Sequence, residues 1–265
     1  MWTPQVPRTL IDAALDGSLA LVFGRDANLG AAWESPAEAL PTDNGLRDLL
    51  RGEFFDFDSQ FESLGSLVRR VVDAHGMAVL QDWMMEIERA YTPNGASRSL
   101  PYFDWRGLCA LGWDTSIETA YRLAARPLAP ADGPIGGAGC ASLIRPLNWV
   151  AESGYPQWLT SDGDIRFAAD DSTSGAQFLR LMHGPVALFG VRSDHPQFSA
   201  YLADRSSIGP VFVSSSEPDG AWPDGITVHN ALFSDVMTAM NQQRPRARAV
   251  VSTGAQSAPS ASMSN

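Results

Sequence analysis

Apolar residues recur at helical spacing most clearly over residues 58–91. Phe61, Leu64, Leu67, Val68, Val71 and Val72 form one stripe, and Val79, Leu80, Trp83, Met84 and Ile87 form a second. Stripes of this period mark the buried faces of amphipathic helices. Gly76 falls between them and predicts two helices rather than one. Ser59 and Glu62 have the spacing of a capping box ahead of the first, and Pro93 stops the second. Trp83 and the Met84–Met85 pair belong in this reading to the core. Thr115 and Glu118 make another capping box, and the helix after them is stopped near Ala125 by Pro127.

Elsewhere the pattern shortens. Residues 8–24 read as a brief helix followed by a strand, Leu19 to Gly24, rich in Leu, Val and Phe. Residues 25–45 and 92–101 carry the turn formers of loops. An aromatic stretch, Tyr102, Phe103, Trp105 and Trp113, follows the second loop. Residues 126–139 are rich in Pro and Gly and give the best boundary between two regions. Residues 140–152 read as a helix, with Ala141, Leu143, Ile144, Leu147, Trp149 and Val150 mostly in helical period, closed by Gly154 and Pro156. From residue 160 the texture is strand and turn. Val186–Val191, Phe198–Leu202 and Val211–Val213 are strand candidates, and Asn230–Met240 is a last helix. The fold expected is α+β, a mainly helical N-terminal part (1–126) packed on a C-terminal mixed α/β sheet region (131–242). Residues 243–265 have almost no large apolar side chain and read as a disordered tail.

Composition narrows the function. The 265 residues are 45% hydrophobic, enough for a sizeable core without disulfide staples. Thirty acidic and 19 basic residues give a net charge of −11, which speaks against nucleic-acid backbones and anionic membranes as partners. All 19 basic residues are arginine. A chain without lysine cannot supply the P-loop lysine, the kinase strand lysine or a Schiff base to pyridoxal phosphate. It also cannot be ubiquitinated on a side chain, as would suit an effector delivered into a eukaryotic host. No run of 18 apolar residues spans a membrane, and Asp12 and Asp16 interrupt the only early apolar stretch. The location expected is cytoplasmic, or outside the cell by a signal-independent route.

Candidate chemistry centres on the two cysteines, Cys109 and Cys140. Gly133-Pro-Ile-Gly-Gly-Ala-Gly-Cys140 leads into the helix expected at 140–152, where a helix dipole would favour thiolate. Gly184-Pro-Val-Ala-Leu-Phe-Gly190 then leads to Asp194–His195, and later to Glu217–Pro218. A cysteine peptidase needs a thiol, a base and a group that orients the imidazole, in the order offered here. This region, about 131–220, resembles the papain-like superfamily, in particular its bacterial bacteriocin-processing and effector branch. The resemblance implies Cys140 as nucleophile, His195 as base and Glu217 as orienting residue, with no cofactor and no metal. His229 is the other candidate base; His183 and His75 are further histidines. Asp162-Gly-Asp164 and Asp170–Asp171 have turn chemistry and lack the spacing of a calcium loop. The function expected is therefore a cysteine peptidase or related thiol acyl-transferase acting on a protein or peptide. The alternative is a non-catalytic protein-binding module such as a toxin-neutralising immunity protein, which the acidic charge and abundant Trp also suit. An oligomeric state is not legible.

Overall fold

The computed structural model describes residues 6–24, 27–32, 34–35, 38–55, 62–129, 140–145, 180–181, 183–191, 211–214, 222, 227–229 and 231–243. The class is α+β. Among the described residues, seven parallel strands form the main sheet in the order β5-β6-β4-β1-β7-β8-β9. They are β1 (Ala20–Phe23), β4 (Gly107–Ala110), β5 (Leu128–Ala129), β6 (Ala141–Ile144), β7 (Val186–Phe189), β8 (Val211–Ser214) and β9 (Thr227–His229). Two further strands, β2 (Gly30–Ala32) and β3 (Tyr91–Pro93), pair antiparallel apart from it. The helices are α1 (Arg8–Leu15), α2 (Asp43–Phe54), α3 (Leu64–His75), α4 (Met77–Arg89), α5 (Gly95–Ser99), α6 (Ser116–Leu123) and α7 (Phe233–Gln243).

The central strands are short and apolar because both of their faces are covered. Every residue of β1, β4, β6 and β7 is buried. One face presents Leu21, Phe23, Leu108, Ala110, Leu143, Ala187 and Phe189 to a cluster that includes α1, α6 and α7. Phe23, Phe189 and Phe233 meet there, stacked or edge to face, with centroids 5.1–5.8 Å apart. The other face carries Val22, Cys109, Ile144, Val186 and Leu188, all buried. A second cluster joins α2, α3 and α4 through Leu46, Leu50, Leu67, Val71, Leu80 and Met84, and Trp113 ties it to the end of β4.

Gly76 does separate the two periodic helices: its φ of +88° is open to glycine and costly for other residues. The first of them starts later than the capping-box spacing implies, with Ser63 as the N-cap accepting from the Ser66 amide. Trp83 is half-buried at the edge of the second cluster, Met84 is fully inside, and Met85 and Val79 face solvent. β1, β7, β8 and α7 lie where the pattern put a strand, a strand, a strand and a last helix. The loops expected at 25–45 and 92–101 hold β2, β3, α5 and the start of α2.

Two corrections concern the sheet. Residues 141–144 are a strand and not the first turn of a helix. A four-residue apolar run reads alike as buried helix or parallel strand, and pairing with β4 decides it. β4 itself, inside the aromatic stretch, is a central strand. The pairings β1–β7 and β4–β6 therefore draw the sheet from both sides of residues 126–139, which join parts of one core. The candidate strand Phe198–Leu202 and the tail beyond residue 243 lie outside the described residues.

Candidate functional site at the carboxyl edge of the sheet

Strand order locates the site. From β1 the chain goes to one side, setting β4 beside it, β5 at the edge and β6 between those two, then returns to the other side of β1 for β7, β8 and β9. In parallel sheets wound this way, ligands sit beyond the carboxyl ends of the strands where the order reverses, here between β1 and β7. The backbones come unusually close at that point. A Cβ on Gly24 would stand 2.0 Å from the Gly190 carbonyl oxygen, so only glycine fits. The Gly24 amide donates to the Phe189 carbonyl at 2.7 Å. Gly190 has φ +59° and Asn28 φ +50°, so both chains turn sharply as they leave the sheet.

One strand further over, the same edge carries a network of ionisable groups. Arg145 follows β6 directly. Its guanidinium donates to both carboxylate oxygens of Glu118 at 2.7 and 2.8 Å. It also donates to the carbonyls of Gly112 at 3.0 Å and Asp114 at 2.6 Å, which follow β4. Burial disfavours the Arg145 charge, but Glu118, then Asp114 and Glu88, outweigh it and hold the guanidinium above its ordinary value. Asp114, itself buried, accepts from the Ser116 amide at 2.9 Å at the start of α6. Glu88, at the end of α4, accepts from the Thr115 amide at 2.9 Å and from the Thr115 hydroxyl. Burial raises the Glu88 carboxyl to about 7; the Thr115 bond works against this, and Asp114 adds to it.

The capping box expected from Thr115 and Glu118 is thus replaced. Thr115 makes no side-chain cap, and Glu118 turns to Arg145. A bidentate, charge-assisted pair is stronger than a carboxylate on one neutral amide. Beside this network lies a cleft of about 480 Å³, floored by Glu88, Asp114 and Thr115 and rimmed by Arg89, Arg98 and Arg122.

The residues singled out from the sequence fall elsewhere. Cys140 is half-buried ahead of β6 and so opens a strand rather than a helix; its thiol donates to the Pro127 carbonyl at 3.6 Å. His195, Glu217 and both aspartate clusters lie outside the described residues. His229 ends β9, five strands from β6 and at the opposite end of the strands from Cys140. Five spacings of about 4.8 Å put it ~24 Å away, beyond reach as a base. Burial lowers its imidazole below the ordinary value. Cys109 is fully buried in β4, and burial pushes its thiol far up against the pull of Arg145. His183 is exposed, and His75 ends α3 against the Phe54 ring.

Arg145, Glu88 and Asp114 were not legible as a site. Arg145 left one trace, a single charge closing the mostly apolar run Ala141–Ile144 just before Pro146. No protein-family model matches the chain, and no curated protein matches it in sequence.

Proposed function

We propose that the chain is a ligand-binding domain that holds a nucleotide-like small molecule beyond the carboxyl ends of β1 and β7. The observation that carries this reading is the reversal of strand order between those two strands in a sheet whose described strands all run parallel. The glycines at 24 and 190 support it, because they keep side chains away from the point where the order reverses. The cysteine-peptidase reading keeps Cys140 but loses the helix that would activate it. Among the described residues, the protein-binding reading has exposed apolar side chains such as Leu49, Tyr102 and Leu232 to draw on.

Calorimetric titration of the full chain with AMP, ADP and a nicotinamide dinucleotide tests the proposal. At least one should bind saturably, and hydrogen exchange should slow at residues 24–29 and 190–191. Absence of binding to all three, or protection confined to other segments, sinks it. A burst of iodoacetamide labelling at Cys140 at pH 6, lost in His195→Ala, would favour the peptidase instead.

A further inference from the structure

We propose that the cleft between α4, β3, α5 and α6 is a separate binding site for a small polyphosphate, held by Arg89, Arg98 and Arg122. Three arginines from three different elements line this one cleft of about 480 Å³. That volume lies within the range of pockets that enclose small ligands. The chain has 11 more acidic than basic residues, yet among the described residues none of the three arginines pairs with a carboxylate. Arg98 is steadied by the Pro93 carbonyl at 2.9 Å and the Thr92 hydroxyl at 3.3 Å, and Arg122 by the Thr119 hydroxyl at 3.3 Å. Those bonds leave donors on each guanidinium for a ligand.

The carboxylates of Glu88 and Asp114 line the same cleft and confine an anion to its rim. Glu88 is bound by Thr115, and Asp114 accepts from Ser116. Both are therefore engaged with the protein, and they set how deep an anion can go. A ligand with two or more phosphates at the rim would place one fork of each arginine on oxygen pairs, the geometry guanidinium recognises best. The site is independent of the β1–β7 proposal, since neither Gly24 nor Gly190 lines it.

Titration with inorganic pyrophosphate at low ionic strength tests this, with inorganic phosphate and citrate as comparison anions. Pyrophosphate should bind more tightly than either. The double variant Arg89→Gln, Arg122→Gln should weaken it by about a hundredfold, with the melting temperature of the unliganded protein unchanged. Arg8→Gln, on an exposed arginine of α1, should leave the affinity as it was. No pyrophosphate binding by the wild type overturns the proposal. So does equal affinity in the double variant, or citrate binding as tightly as pyrophosphate. A nucleotide that still protects residues 24–29 in the double variant reports on the other site alone.

Discussion

Arg106 at the amino edge of the sheet and Arg145 at the carboxyl edge are both partly buried and both hold backbone carbonyls, but among the described residues only Arg145 adds a carboxylate. Arg106 donates to the carbonyls of Ser18 at 2.9 Å, Leu181 at 2.6 Å, Pro185 at 3.2 Å and Arg180 at 3.4 Å. No carboxylate joins it among the described residues, and burial lowers its guanidinium from the ordinary value. It fastens the segments entering β1 and β7 to the start of β4. A Cβ on Gly184 would stand 2.9 Å from that guanidinium, so the edge is closed tightly around it. Arg145 instead balances Glu118, with Asp114 and Glu88 close by. Carbonyl ligands fix backbone and leave nothing to titrate. Carboxylate ligands create a field that moves the protons of their neighbours. One edge is a clasp, and the other is where chemistry can be held.

The largest expected effect breaks the carboxyl edge. Arg145→Met leaves Glu118 with an uncompensated, partly buried charge and frees two carbonyls, which should cost about 3–5 kcal/mol in denaturant unfolding. Adding Glu118→Gln should restore part of that loss; no restoration would show that the pair is not what the arginine provides. Arg106→Leu should cost less, about 2–4 kcal/mol, from several lost charge-assisted bonds. Hydrogen exchange should then quicken near residues 18 and 181–185 while residues 112–118 stay protected. A loss larger than that of Arg145→Met would reverse the contrast.

The smallest effect sharpens it through pH. The Glu88 carboxyl is held at about 7, above its ordinary 4.5, chiefly by burial. Between those values the folded chain keeps a proton that the unfolded chain releases. Its contribution to stability is thus complete below pH 4.5 and lost as pH rises through 7. Asp114 and Glu118 face it with like charge and Arg145 with opposite charge. Glu88→Gln should flatten that decline, by on the order of 1–2 kcal/mol once solvent screening of a half-buried group is allowed for. An unchanged pH profile of melting would remove Glu88 as its source.

What the sequence carried by itself was local. The stripes of α3 and α4, the break at Gly76, the apolar runs of β1, β7 and β8 and the last helix were legible, because period and glycine conformation act over a few residues. Tertiary structure decided the rest. Whether Ala141–Ile144 is helix or strand depends on β4, more than thirty residues away in sequence. That choice removed the dipole from Cys140 and set Arg145 on the carboxyl edge, next to a glutamate whose spacing had suggested a cap. A short apolar run can satisfy its backbone either way, and only the neighbour it pairs with selects one. A site assembled from the ends of several parallel strands has no contiguous motif, so its residues acquire meaning only when strand order brings them together.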